Sequence, residues 1–288
     1  MDTVFHFTSF ESLKYIISKD EFRISNVKKL NDIDESEAMV VVSENEMPRF
    51  LDEITKCGEK KSKELLNNES FTNKLKDKLK ENCLEYNKNL QRLNTLKDSC
   101  YIASFGSVPN EFNYKKYYYI SNISLMWSHY ANKYNGVCII FDKNKLDVFF
   151  NKMAKEQSYK VISMKLKYKS DYFYKFKNIK CDKMLLKEKY FVKNTSWSIE
   201  NEYRYLIYNI QTKKKSKEDY LFFKGIRKCI DSIIFSGTFK GYKNTVQKII
   251  DHNITIYSRA KGMGGNHCSV GLAYENGIIF DKVIPLKI

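Results

Sequence analysis

The chain has 288 residues, 43% of them apolar, with 11 Gly, 3 Pro and 7 Cys. That size and composition bury a sizeable core and exclude disordered, collagen-like and disulfide-stapled classes. The net charge of +16, with pI near 9.3, favours a polyanionic partner through release of phosphate counterions. Of the 50 basic residues, however, 44 are Lys and 6 are Arg. A Lys, Asn, Ile and Tyr bias is also what an AT-rich genome writes, and Arg is the better fork for phosphates and base edges.

No window approaches 18 consecutive apolar residues, so no membrane span is expected. The opening MDTVFHFTSF lacks the basic and apolar regions of a secretory signal, which gives a cytoplasmic expectation. Cys57, Cys83, Cys100, Cys138, Cys181, Cys229 and Cys268 form no C-x-x-C pair. They read as free thiols in a reducing compartment. With histidines at 6, 129, 252 and 267 and no H-x-H or H-E-x-x-H spacing, no metal centre is expected, although carboxylate-only magnesium sites stay open.

In chain order, Thr3 to Thr8 predicts a short strand. Thr8 with Glu11 forms a capping box for a helix whose apolar face is Leu13, Ile16 and Ile17. Phe22 to Ser25 predicts a second strand, and Leu30-Asn31-Asp32 a turn. From about Ser36 to Asp98 the spacing is helical and rich in Lys, Glu and Leu, the signature of a helical insertion within a single α+β domain over 1–288. SCYIASF at 99–105 predicts a strand, 106–114 a loop, Ser124 to Tyr134 a helix ended by Gly136, and Val137 to Phe141 a buried strand of continuous apolar character. Between Lys165 and Lys193 lysines alternate with aromatics, ten Lys against Asp171, Asp182 and Glu188, a local excess of +7. These rings could stack on bases while the lysines track a backbone; the alternative is a strand with one packed and one solvated face. Tyr203 to Ile210, Ile230 to Gly237 and Ile254 to Tyr257 predict strands, and Asn244 to Asp251 a helix. The glycines 262, 264 and 265 read as a loop, because they do not open a helix at dinucleotide-fold spacing.

Four spots join polar groups to an apolar frame. His6 lies mid-strand, opposite Phe5 and Phe7, just before a helix start that suits an anion or ribose hydroxyl. Trp127, His129 and Tyr130 crowd one helix, where packing is the simpler reading. In Trp197-x-x-Glu200-x-Glu202-x-Arg204, strand geometry would put both carboxylates and the cation on one face, the carboxylates about 7 Å apart; this is a ribose-holding cluster or a surface ion-pair ladder. Asn31, Asp32 and Glu35 read as a turn and helix start.

These blocks carry a resemblance. FHFTSFESLKYII, LNDIDE, LMWSHYANKYNGVCIIFD and K-x-x-x-W-x-x-E-x-E-Y-R resemble the bacterial family catalogued as domain of unknown function 2971, in order over roughly residues 4 to 208. The long helical stretch before Ser99 and the C-terminal glycine loop depart from that pattern, and the family supplies no activity.

More distantly, the opening strand-His-x-Thr, capped helix and short strand are similar to ADP-ribosyltransferase folds, particularly their DNA-modifying toxin and RNA phosphotransferase branches. That resemblance implies an α+β fold with mixed and antiparallel sheets, NAD as substrate, and a toxin or anti-phage setting with a neutralising or defence-system partner. It implies that His6 holds the nicotinamide ribose and that Glu202, with Glu200, anchors the 2′-hydroxyl and supports an oxocarbenium-like transition state. Thr8, Ser25, Asn31, Trp127, His129, Tyr130 and Arg204 would complete NAD binding, with Tyr130 or Tyr203 against nicotinamide. Lys169, Lys175, Lys177 and Lys180 would contact a nucleic-acid acceptor. Two other readings stand: a non-catalytic nucleic-acid-binding module built on the Lys/aromatic stretch, and a metal-independent ribonuclease using His6 or His129 with Glu202 and Arg204. Convergence of His6 and Glu202 in one cleft favours an enzyme; scatter favours the binder.

Overall fold

The computed structural model describes residues 3–30, 84–85, 87–170, 179–209, 218–236, 248–249, 252, 254–261, 268–272, 274–275 and 278–279. The expected turn at Asn31, most of the helical insertion, Lys175, Lys177 and the glycine loop lie outside them.

The architecture is α+β around a ten-stranded mixed sheet. Strand β1 (Thr3–Thr8) leads into helix α1 (Phe10–Lys19) and β2 (Glu21–Asn26). The α1 cap is Ser9, whose hydroxyl accepts from Ser12 N at 3.2 Å. This corrects the Thr8 capping box by one residue: Thr8 is still paired as a strand, opposite Val137, and cannot serve as a cap. Helix α2 (residues 87–96) precedes β3 (Cys100–Ser107), which continues through Gly106 and Ser107 where a loop was expected.

Helices α3 (Lys116–Asn122) and α4 (Ser124–Tyr130) lead into β4 (Val137–Asp142). Helix α4 stops at Tyr130 rather than Tyr134, because Asn132, Lys133 and Tyr134 all take positive φ, at 47°, 52° and 68°, which a right-handed helix does not admit. Asp142 ends β4 and caps α5 (Lys143–Glu156) through the amides of Asn144 and Lys145; Leu146, Phe149, Phe150 and Ala154 form the buried stripe of α5. Then come β5 (Lys160–Lys165), β6 (Lys167–Lys169), α6 (Asp182–Tyr190), β7 (Val192–Asn194), a 3₁₀ turn (Thr195–Glu200), β8 (Glu202–Tyr208), β9 (Tyr220–Lys224), β10 (Ile230–Phe235), β11 (Thr255–Lys261) and β12 (Cys268–Leu272). Among the described residues no helix is long and apolar enough to cross a membrane.

The topology turns on β3. One edge pairs with β8 from Cys100 to Gly106, and β8 pairs onward with β5. The other edge receives two strands at its two ends: β2 at Tyr101 and Ile102, and β1 at Gly106 and Ser107. From β1 one wing runs through β4, β10, β11 and β12, and from β2 the other runs to β9. A split therefore opens beside Ala103, Ser104 and Phe105.

One face of the sheet is packed by α1 and α5 in a single large core that includes Leu13, Phe22, Phe105, Phe141, Phe150 and Tyr205. The opposite face carries two smaller cores: Phe7, Ile123, Trp127 and Ile140 under α3 and α4, and Leu90, Ile102, Leu185, Tyr190 and Leu206 under α2 and α6. The seam between those two covers lies over the split.

Candidate active site

A cavity of about 310 Å³ occupies the split and is lined by His6 of β1, Arg23 and Ser25 of β2, Ile102–Gly106 of β3, Met126 and Tyr130 of α4, and Lys193, Trp197, Glu200, Glu202 and Arg204. The sheet makes this space: where β1 and β2 part, Ser104 has no strand opposite it on that edge, and its carbonyl accepts instead from His6 Nδ1 at 3.0 Å. With Nδ1 donating to a carbonyl, Nε2 keeps a free lone pair. The imidazole lies 5.5 Å from the Phe22 ring and 5.7 Å from Phe105. Burial pushes its pKa below the ordinary value, outweighing the upward pull of the Ser104 carbonyl.

The opposite wall is charged and dry. Lys193, Glu200, Glu202 and Arg204 are each at most 6% exposed, a neutral set of two cations and two anions. Arg204 donates from Nε to Glu202 Oε1 at 2.5 Å and from an NH₂ group to Oε2 at 3.0 Å, and its other nitrogen reaches Tyr190 O at 2.8 Å. Lys193 Nζ donates to Glu200 Oε2 at 2.9 Å, stands 3.7 Å from Glu202 and lies 4.6 Å over the Trp197 ring. Tyr130 OH donates to Glu200 Oε1 at 2.6 Å, bridging the seam from α4. Burial raises the Glu202 carboxyl, but Arg204 first and then Lys193 outweigh it and hold the pKa below the usual range. A carboxylate has about four lone-pair positions; on Glu202 Arg204 takes two and the Ser104 hydroxyl a third, whereas Glu200 accepts from Tyr130 and Lys193. Glu200 is thus the carboxylate with more capacity for a ligand hydroxyl.

These charged residues are local consequences of the sequence. Glu202 and Arg204 share a face because strand side chains alternate. Glu200 does not belong to that strand, which corrects the single-face expectation. It closes the 3₁₀ turn, and Asn201, left-handed at φ 40°, redirects the chain before β8 begins. Asn201 is pinned by donating from its side chain to Ser107 O at 2.6 Å.

The matched segment is now identifiable. Residues 126–205 match the family model Protein of unknown function (DUF2971). This DUF2971 segment supplies Met126, Tyr130, Lys193, Trp197, Glu200, Glu202 and Arg204, the charged wall and the seam bridge, while His6, Arg23 and Ser25 come from outside it. No curated protein and no solved structure matches the chain.

His6, Ser25, Tyr130, Glu200, Glu202 and Arg204 of the expected site line one cavity. Trp127 does not; it is fully buried and donates from its indole to Ile120 O at 2.9 Å. His129 is exposed, and Thr8 and Tyr203 lie outside the lining, Tyr203 facing Lys143 and Tyr205. Lys169 and Lys180 are exposed and outside the lining. In the same Lys-rich stretch, Lys189 and Lys193 are buried, at 2% and 5% exposure, so the run is not one solvated face. Sequence reasoning missed Lys193 and Arg23. Lys193 had a signal: it stands four residues before Trp197 in the K-x-x-x-W block, the spacing that lets its ammonium cover the indole.

The two depressed pKa values set an acid limit on stability. A His whose folded pKa lies below its unfolded value near 6.5 stabilises fully above that value and progressively less below it, and a depressed Glu does the same below its unfolded value near 4.5. Urea midpoints are therefore expected to fall from pH 7.5 to pH 5.5 and further at pH 4, and His6→Gln is expected to flatten the first interval. A wild-type midpoint that stays level to pH 5.5 contradicts the buried neutral imidazole.

Proposed function

We propose that the protein is an ADP-ribosyltransferase-like enzyme that cleaves the nicotinamide–ribose bond of NAD and transfers ADP-ribose to a macromolecule. The observation that carries this reading is the meeting of His6 and Glu202, from the first strand and a strand nearly 200 residues later, on one cavity in a split sheet. The volume suits the nicotinamide-ribose half of the dinucleotide, at the low end of small-molecule sites, with Arg23 and Lys29 at the lining for the phosphates.

In the reaction the glycosidic electron pair leaves on the nicotinamide nitrogen, which departs neutral, and positive charge develops on the ribose. An acceptor N–H or O–H group gives an electron pair to C1′ and releases its proton. The chain's residues would act by placement and charge: His6 Nε2 accepts a ribose hydroxyl, Glu200 accepts another, and Glu202, buried and fixed by Arg204, adds negative potential. Phe22, Phe105 and Met126 supply the apolar wall for a flat ring.

The test is incubation of the purified chain with nicotinamide-labelled NAD and mixed DNA, RNA and protein, reading nicotinamide release and transfer. Release is expected from the wild type and at least about tenfold less from His6→Ala. A wild type that neither binds nor turns over NAD overturns the reading.

A further inference from the structure

The cavity continues onto an exposed ledge formed by the outward faces of β2 and β9. The strands pair with Glu21 opposite Lys224, Arg23 opposite Phe222 and Ser25 opposite Tyr220, while Phe22, Ile24, Leu221 and Phe223 face the core. On a solvated strand face these positions ordinarily carry polar residues. Here Phe222 is 44% exposed, and Tyr15 of α1, 38% exposed, stands 6.5 Å from it, ring to ring. The Arg23 guanidinium lies 4.6 Å over the Tyr220 ring and also lines the cavity. Arg23, Tyr220, Phe222 and Tyr15 thus form a run of flat groups that starts at the site.

We infer that this ledge binds the acceptor, and that the acceptor is a single-stranded nucleic acid whose unpaired bases stack on Tyr220 and Phe222. This rests on the transferase reading for the word acceptor, but the ledge and its binding stand independently of it. Three features favour this occupant. Flat aromatic faces with a stacked guanidinium are what unstacked bases require, and they act without sequence preference. Successive outward residues of β9 lie about 7 Å apart, twice the 3.4 Å rise per nucleotide of a stacked strand, so the rings suit nucleotides drawn apart rather than a closed duplex. The chain's charge of +16 draws polyanions to the whole molecule.

The local charges make the inference specific. Lys224 pairs with Glu21 at 3.4 Å, Lys29 with Asp219 at 3.1 Å, and Lys28 with Asp98. Among the described residues of β2 and β9, Arg23 is the one cation outside an ion pair, so binding there is expected to run on stacking and to depend only weakly on salt. Binding to the exposed Lys165, Lys167, Lys169, Lys180 and Lys183 would instead release several counterions and fall steeply with salt.

The experiment is fluorescence anisotropy with end-labelled 12-nucleotide single-stranded DNA and RNA, and the matching duplexes, at 50 to 300 mM salt, alongside nicotinamide release without acceptor. Expected are tighter binding of single strand than duplex, a log–log salt slope near −1, at least about fivefold weaker binding by Phe222→Ala and by Tyr220→Ala, and recovery in Phe222→Trp. Both alanine variants should keep the wild-type melting temperature and the acceptor-free nicotinamide release. Absence of single-strand binding, equal affinity in the alanine variants, or a steep slope unaffected by them overturns the ledge. Oligonucleotide binding that responds to Phe222 in a protein inert toward NAD retains the ledge and discards the transferase. The DNA and RNA arms decide which sugar is accepted.

Discussion

Replacing Glu202 by glutamine is expected to cut nicotinamide release at least about a hundredfold and to destabilise the fold by about 3–5 kcal/mol. Both effects have one cause. The wall holds Lys193, Arg204, Glu200 and Glu202 nearly dry; removing one anion leaves the set at +1 beside a ribose that must itself become positive. Because unfolding alone would also abolish activity in the single variant, Glu202→Gln is best paired with Lys193→Met, which restores neutrality. The double variant is expected to regain most of the melting temperature and little of the activity. If nicotinamide release returns with stability, Glu202 serves the fold alone and has no part in catalysis. If Glu202→Gln keeps full activity, its assignment to the reaction falls.

The second large effect is expected at Gly136, where the left-handed turn meets β4. A methyl group added there would stand 2.8 Å from the Ala131 carbonyl carbon and closer still to the Thr8 carbonyl oxygen. Both neighbours are backbone, so neither can rotate away. Gly136→Ala is expected to cost about 2–4 kcal/mol, read as a fall in melting temperature, and to cut activity further because the same turn sets Tyr130 over the cavity. At Gly106 the three nearest atoms to an added Cβ all belong to the ring of Phe5, which is itself buried and packed against Phe7, so Gly106→Ala is also expected to lower the melting temperature. Equal melting temperatures for Gly136→Ala and wild type contradict the close approach of β1 to the turn.

The elements that the sequence makes legible are those with a strong period. The β1 alternation, the continuous apolar run of β4 and the Leu13, Ile16, Ile17 face of α1 were all readable, because each pattern fits one backbone. Helix α5 went unread although its signal was present: Asp142 as cap, then Leu146, Phe149, Phe150 and Ala154 at helical spacing. The α1 cap slipped by one residue because Thr8 and Ser9 both bear hydroxyls, and only the pairing of Thr8 in the sheet decides between them. For the site, the motif brought Glu200, Glu202 and Arg204 to notice, and strand periodicity correctly joined the last two. It could not foresee Asn201 turning left-handed between the carboxylates. Lys193 and Arg23 were hidden for a different reason: a lysine in a lysine-rich run or an arginine on a short strand acquires its meaning from the split beside β3, which no local pattern encodes.

The hydrogen bond from Tyr130 to Glu200 has a consequence for any affinity measured at this cavity. It joins the two helical covers across the seam, so a ligand hydroxyl that takes the position of the tyrosine on Glu200 Oε1, rather than a remaining lone pair, must displace it. A hydrogen bond to a charged acceptor is worth about 1.5–3 kcal/mol net. The observed dissociation constant is then weaker than the ligand's own contacts would give, by roughly tenfold to a hundredfold, and Tyr130→Phe should bind such a ligand more tightly while releasing it more slowly.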